Sequence, residues 1–389
     1  MEKAVWVVAG GAMQVPLIRE LKKMGLALVV SDGDSRCEAA ALADIFLEID
    51  TFDAEAHIQA SQEVSRVLEI VAVMTVAADC HETVSLVAEA MDLPGIPSPI
   101  SRLLRRKDLF RAAIDGLPVL QPRYLVAGDI EEARAAASHL RSGYLLKATD
   151  NSGSRGMTAF REGEEIHEDA YLLARNSGTS GLVLVEEALQ PDQSPSEISV
   201  ETLWLGGKMI ILNSVHRLFR NDLESFSLHL EGMSGRNWGV EVGHINPAKL
   251  SESQAEKVRL TMECVGNALG FSGLRYPAIL KGDLMHTNGD IAVLEATPRL
   301  SGGWDSSGTT LMRGADFQKG FAKLLLGYDS GDVLASDFSY SRPELFAAAM
   351  SESPPNALDS IGRVFGLGSG TTAEEAIVLA AKNLSEEIN

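Results

Sequence analysis

Cysteine is scarce. The 389-residue chain holds three, Cys37, Cys80 and Cys264, far apart and odd in number. They form no CxxC spacing and no disulfide framework, so a reducing, cytoplasmic setting is expected. Long apolar runs are missing as well. No stretch approaches 18 uncharged apolar residues, which argues against a membrane-spanning helix. The opening MEKAVWVVAGG reads as a β-strand, because it lacks the apolar core and small-residue cleavage site of a leader peptide. Basic residues are in deficit: 34 Lys and Arg stand against 54 Asp and Glu, a net charge of −20. Nucleic acid and anionic membrane both call for a basic surface, so neither is an expected partner. One small polyanion in a local basic pocket stays compatible with that balance. The chain also lacks a P-loop, a G-x-S-x-G nucleophile elbow and, among eight histidines, any H-E-x-x-H spacing.

What is present is a globular mixture, 45% hydrophobic and 23% charged, long enough for two or three domains. Residues 1–93 alternate short apolar runs with amphipathic segments. Strands are expected at 4–9, 27–31, 45–49 and 71–76, with helices at 15–24, 54–69 and 82–91. That alternation predicts a parallel sheet with helices on both faces. Three prolines in residues 94–99 (PGIPSP) mark a boundary. Residues 101–114 read as one helix bearing Arg102, Arg105, Arg106, Lys107 and Arg111. On charge pattern alone this is equally a solvated face.

From residue 118 the pattern becomes α+β. Strands are expected at 123–126, 143–148 and 182–186, and helices at 130–140 and 251–269. Hairpins are expected about Gly206-Gly207 and Asn288-Gly289. The run GLGSG at 366–370 reads as a turn before a final helix. There Thr372 and Glu375 have capping-box spacing, and Ile377, Leu384 and Ile388 share a face.

Four constellations could carry chemistry. Gly10-Gly11 with Asp32 suits a dinucleotide turn but lacks the G-x-G-x-x-G spacing. An NAD-dependent oxidoreductase is therefore a subordinate alternative. The loop 150–156 (DNSGSRG), after a strand carrying Lys147, could point backbone N–H groups at phosphate, with Arg155 adding charge. Asp283 and Glu295 stand 12 residues apart across a turn, with Arg299 beyond, and would suit Mg²⁺ if they share a face. A two-residue Asn288-Gly289 turn pairs Asp283 with Leu294 and sends Glu295 to the opposite face. A three-residue loop, Thr287 to Gly289, puts both acids on one face, and that loop is expected. Finally, Glu186, Glu187 and Leu189, with Glu197 and Glu201 downstream, could meet a purine edge and ribose hydroxyls.

Taken in order, these segments resemble the ATP-grasp carboxylate–amine ligases over roughly residues 1–330. The quoted pieces are Lys107 after the Pro-rich linker, LLKATDNSGSRGM, LVLVEEAL, EISVET and DLMHTNGDIAVLEATPRLSGG. The likeness runs to amino-acid and dipeptide ligases and, in pattern, to carbamoyl-phosphate synthase and biotin carboxylase. It implies a Rossmann-like domain at 1–99, a small lid subdomain at 100–182, a large subdomain at 183–330 and an extension at 331–389. Lys107 and Lys147 would contact ATP phosphates. Residues Ser152, Gly153, Ser154, Arg155, Gly156 and Met157 would form a mobile flap. Glu186, Glu187 and Leu189 would hold adenine, and Glu197 ribose. Asp283, Glu295 and Thr297 would hold Mg²⁺, two ions in all. Arg299 and Lys147 would serve catalysis, and Arg299, Ser301, Gly302, Gly303 and Trp304 would line the substrate. Thr297 departs from the family's usual Asn, and Arg275 and Lys281 carry no assigned role. The implied activity joins a small-molecule carboxylate, through an acyl phosphate, to an amine, with an amino acid first among substrates. A nucleotide-binding regulator is the other alternative, and a homodimer is left open.

Overall fold

Three β-sheets meet in a computed structural model that describes residues 1–151, 155–226, 241–352 and 364–388. The first sheet is parallel, with strands β1 (Glu2–Val8), β2 (Ala27–Asp32), β3 (Ile45–Glu48) and β4 (Leu68–Met74) in the order β3-β2-β1-β4. Both faces of β1 are buried, which explains its unbroken apolar run. Val5 and Val7 meet Leu17, Ile18 and Leu21 of helix α1 (Val15–Lys23). Ala4, Trp6 and Val8 face the other way, onto Val64 of α2 (Ala54–Val64) and Val87 of α3 (His81–Ala90). Helices thus cover both faces, as the alternation predicted.

The basic segment differs from expectation. It forms two helices, α4 (Ser98–Arg105) and α5 (Lys107–Ala113), separated at Arg106, which is extended at φ −99° and ψ 105°. Two contacts hold the break. Arg106 Nε donates to Asp108 Oδ1 at 2.9 Å, and the Lys107 N–H donates to the Thr149 carbonyl at 2.7 Å. The bend lets Leu104 of α4 and Phe110 of α5 enter one core.

The second sheet is antiparallel and contains β5 (Tyr124–Ala127), β6 (Tyr144–Ala148), β7 (Thr158–Phe160) and β8 (Val183–Glu187), in the order β5-β8-β6-β7. Its core is its own, shared with α6 (Ile130–Ser138) and α7 (Glu168–Asn176). β8 lies inside this sheet, past the residue-182 division drawn from sequence.

The third sheet has seven antiparallel strands: β9 (Glu197–Leu205), β10 (Lys208–Leu218), β11 (Gly243–Asn246), β12 (Ala278–Thr287), β13 (Asp290–Thr297), β14 (Phe346–Glu352) and β15 (Val364–Gly370). Their order is β13-β12-β9-β10-β11-β14-β15. Helix α8 (Glu252–Ala268) opens on a capping box, Ser251 with Gln254, and buries Val258, Met262 and Val265 against this sheet. The short α9 (Thr310–Met312) leads to α10 (Phe317–Leu325) and α11 (Ser330–Ser336). Phe317 and Leu324 of α10 join the core that holds α1 and also Leu203, Leu212 and Ile279 of the third sheet. The first and third sheets therefore share one apolar core.

The segment 331–389 supplies the last two strands of the third sheet and helix α12 (Ala373–Ile388). The capping box at Thr372 and Glu375 is present, and Ile377 and Leu384 are buried on one face. The side chain of Ile388 lies outside the described residues. The GLGSG run is not a turn but most of β15. Its glycines alternate onto the face that α12 covers. A Cβ on Gly368 would sit 2.4 Å from both the Ala376 carbonyl oxygen and the Ala380 nitrogen. Glycine is there because helix backbone lies directly on strand backbone. No helix among the described residues is long and apolar enough to cross a membrane.

Gly368→Ala should therefore destabilise the protein by about 1–3 kcal/mol through overpacking against backbone. Gly273→Ala, with nothing within 4 Å of the added Cβ, serves as the control and should be near neutral. Urea unfolding measures both, and equal midpoints would show that α12 does not pin this strand.

Candidate active site

A cavity of about 490 Å³ opens where the sheets converge, lined by residues of β6, β8, β9, β10, β12 and β13, the 299–305 loop, and Asp79 from the first domain. Its floor is the β12–β13 hairpin. Thr287 pairs with Asp290 across a two-residue turn, with Asn288 at φ 53° and Gly289 at φ 71°. Positive φ at both central residues is what the tight hairpin turn needs. The three-residue loop expected from sequence is thus absent. Its consequence survives by another route. Leu284 pairs with Val293 and Asp283 with Glu295, which leaves Leu294 unmatched as a β-bulge. The bulge restores the two carboxylates to one face.

Each of these acids is met by cations. Lys107 Nζ donates to Glu295 Oε1 at 2.9 Å and to the Asn151 carbonyl at 2.6 Å. Lys281 Nζ donates to Asp283 Oδ2 at 2.7 Å, and Arg217 Nη1 lies 3.5 Å from the same oxygen. Burial pushes Asp283 up, but Arg217 and Lys281 outweigh it and hold the carboxyl down at about 2. Burial likewise opposes ionisation of Glu295, and Lys107 overcomes it, leaving Glu295 below its ordinary value. Arg217 of β10 is shared further, with Glu197 Oε2 at 2.8 Å and Glu241 Oε2 at 3.0 Å. Glu197 is not fully compensated: burial raises it to about 7 despite Arg217. Two buried oxygens here, Asp283 Oδ1 and Thr297 Oγ1, have no hydrogen-bond partner.

The second end of the cavity is an ion-pair triad. Glu186 receives Lys147 Nζ at 2.6 Å and Arg111 Nε at 2.9 Å. Burial lowers Lys147 against the pull of Glu186, while the two cations keep Glu186 below its ordinary value against burial. Glu187 is turned to Arg123 and Ser142 at 3.1 and 3.2 Å. Leu189, Arg155 and Met157 line the cavity. Gly156, at φ 71°, packs against Ser177 and is not part of the lining. Ser152, Gly153 and Ser154 lie outside the described residues.

At the third end, Arg299 Nε donates to Asp79 Oδ1 at 2.8 Å, tying the loop to the first domain. Ser301 N–H donates to Glu201 Oε1 at 2.7 Å, and Asn213 Nδ2 donates to Asp305 Oδ1 at 3.0 Å. Gly302 and Gly303 line the wall. Trp304 is not in the lining. At φ 66° it packs on Phe365, which is, with ring centroids 6.2 Å apart. Burial raises Glu201 to about 8, with the Asp305 charge adding to it, and raises Asp305 to about 6, with Glu241 adding there.

The structure brings together Lys147, Glu186, Glu197, Asp283, Glu295, Thr297 and Arg299 on one cavity, with Lys107 reaching it through Glu295. Sequence reasoning missed Arg217, Glu241, His244 and Asp79 in the lining of the same cavity, while Asp305 lies there with the 299–305 run expected at the acceptor end. Arg217 left only a faint trace, a cation between His216 and Leu218 at the end of β10. Asp79 left none. Asp32 accepts the Gly10 N–H at 2.7 Å and the Asp34 N–H at 2.9 Å, which ties the Gly10 turn to the end of β2.

No family model matches the chain, and no curated protein matches it. Solved structures do. An L-amino acid ligase from Bacillus licheniformis aligns over 100% of this chain and 98% of its own at 15% identity and TM-score 0.74. An N5-carboxyaminoimidazole ribonucleotide synthetase in its ADP complex aligns over 99% and 96% at 14% identity and TM-score 0.72. Phosphoribosylglycinamide synthetase from Anaerococcus prevotii aligns over 98% of both chains at 14% identity and TM-score 0.68. The fold of this chain is therefore that of the ATP-grasp ligases.

The raised Glu201 gives a test of the buried network. Its neutral form is favoured by folding, so its stabilising share is full below its ordinary value of 4.5 and is lost progressively as pH rises from there to about 8. The melting temperature should fall between pH 5 and 8, and fall less in Glu201→Gln, which mimics the neutral acid. Parallel slopes in the two proteins would contradict the assignment.

Proposed function

We propose that this chain is an ADP-forming, ATP- and Mg²⁺-dependent ligase that joins a small-molecule carboxylate to an amine, with an amino acid as the favoured substrate. The observation that carries the reading is the bulged β12–β13 hairpin, which sets Asp283 opposite Glu295 within reach of Lys107, Lys281 and Arg217. Such a floor suits a charged polyphosphate. The likeness to an L-amino acid ligase over nearly the whole of both chains supports the choice of substrate class.

In this reading a carboxylate oxygen attacks the γ-phosphorus of ATP and ADP departs. An amine nitrogen then attacks the acyl carbon, phosphate departs and the nitrogen loses a proton. Lys107 and Lys147 hold phosphate oxygens, and Arg299, kept in place by Asp79, meets the charge that develops on the acyl phosphate. Arg155 and Met157 close the wall beside the phosphates and keep water from the acyl phosphate. Glu186, Glu187 and Leu189 meet the adenine edge, and Glu197 the ribose.

The donor set fits a hard divalent cation. Mg²⁺ is commonly held by one or two carboxylates plus substrate phosphates, not by a closed protein cage. Among the described residues no group of three or more His, Cys, Asp or Glu forms such a cage. Asp283 and Glu295 with the Thr297 hydroxyl suffice, and the unpartnered Asp283 Oδ1 and Thr297 Oγ1 are two of the oxygens this role needs. When bound, the ion would neutralise phosphate charge. Thr297, a neutral hydroxyl, would hold a second ion weakly.

The test is Mg²⁺-dependent phosphate release across a panel of paired amino acids and amines. Lys147→Ala and Glu295→Ala should each lower turnover at least about 100-fold, while circular dichroism stays unchanged. Near-normal turnover in either variant would overturn the site assignment. ATP binding with no substrate-dependent ADP release across the panel would favour a regulator instead.

A further inference from the structure

Arg111 is 1% exposed, the deepest cation of a segment whose other members reach solvent or the cavity. It follows Lys107 by four residues on α5, so the two share a helix face. Its guanidinium is spent on three acceptors. Nε donates to Glu186 Oε2 at 2.9 Å, Nη1 to the Val293 carbonyl at 2.8 Å and Nη2 to the Leu294 carbonyl at 2.6 Å. Leu294 is the bulge residue. A bulge leaves one residue without a ladder partner, and a buried carbonyl there needs a donor from elsewhere. Arg111 supplies it. With the bulge ironed out, Asp283 would pair with Leu294 and Glu295 would face away.

We infer that Arg111 is a positioning residue: its guanidinium locks the β13 bulge through the carbonyls of Val293 and Leu294, holds Glu295 opposite Asp283, and keeps Glu186 against Lys147. One side chain thereby couples the metal-side carboxylates to the opposite end of the cavity. The consequence for metal binding rests on the ligase reading above. The fork geometry is essential. A lysine ammonium keeps the charge for Glu186 but lacks the planar, divergent donors that reach two successive carbonyls as well.

The test uses the full chain with Arg111→Lys, and with Arg111→Gln as a second variant should the first not fold. Amide hydrogen exchange over residues 291–297 should quicken at least tenfold. Mn²⁺ affinity in the presence of ADP, followed by electron paramagnetic resonance, should weaken at least tenfold. Thermal unfolding should stay cooperative. A lower melting temperature with unchanged exchange and unchanged Mn²⁺ affinity would overturn the proposal, since Arg111 would then be a packing residue only. Faster exchange with unchanged Mn²⁺ affinity would also overturn it, because the bulge would not then be setting the carboxylates. A wild-type protein that binds no Mn²⁺ with ADP would instead sink the ligase reading, and the exchange measurement would still decide whether Arg111 locks the bulge.

Discussion

Two carboxylates buried on one face of a hairpin repel each other, and the site stands because cations from other elements meet them. The Asp283 charge disfavours ionisation of Glu295, and burial disfavours ionisation of both. Lys107 comes to Glu295 from α5, and Arg217 comes to Asp283 from β10. This requirement explains features that otherwise look incidental. The helix expected through residues 101–114 must break at Arg106 so that α5 can be aimed separately from α4. Residue 107 can then anchor on Thr149 through its backbone while its side chain reaches the hairpin.

The compensation is incomplete by design of the charge count. Arg217 is divided among Glu197, Glu241 and Asp283. Asp283 takes enough of the positive field to stay near 2, whereas Glu197 rises to about 7. Of these two, the acid closer to neutral is the one assigned to a ribose, and the more firmly ionised is the one assigned to a metal. That division follows from which carboxylate also has Lys281 beside it. The net charge of −20 is thus more than a surface property. Acidic excess extends into the cavity, and basic groups occupy a few fixed points within it.

How much of this was legible in the sequence depends on what each residue's neighbours reveal. The parallel sheet was readable, because β1 is buried on both faces and writes an unbroken apolar run. The β12–β13 hairpin was readable from Asn288-Gly289, and its two-residue turn is the one that dipeptide favours. The bulge at Leu294 was not readable. Its donor is Arg111, which lies 183 residues earlier and looks in sequence like one more charge in a basic run. The same holds for Asp79, whose partner Arg299 is 220 residues away. β15 misled for the opposite reason. Its glycines announce a turn locally, and only the helix lying against them explains why a strand would carry them.

The three sheets are joined by two kinds of contact, and the difference bears on the cavity. The first and third sheets share an apolar core, in which Leu17 and Phe317 lie with Leu203 and Ile279. The second sheet keeps a core of its own. It meets the third through α5, whose Lys107 N–H bonds the Thr149 carbonyl and whose Arg111 bridges Glu186 to Val293, and through a small apolar cluster of Leu189 with Met285 and Ala292. Apolar burial has no substitute ligand, so the first joint is fixed whatever occupies the cavity. Ion pairs are different, because a phosphate or carboxylate can replace one partner with an equally strong charge-assisted bond. The wall that carries Lys147 is therefore held in part by contacts that a polyanion can take over, beside the Leu189 cluster and the Lys107–Thr149 backbone bond that it cannot. A site with one partly exchangeable wall and one set in the shared apolar core can admit a charged ligand without disturbing the carboxylates that must stay in register.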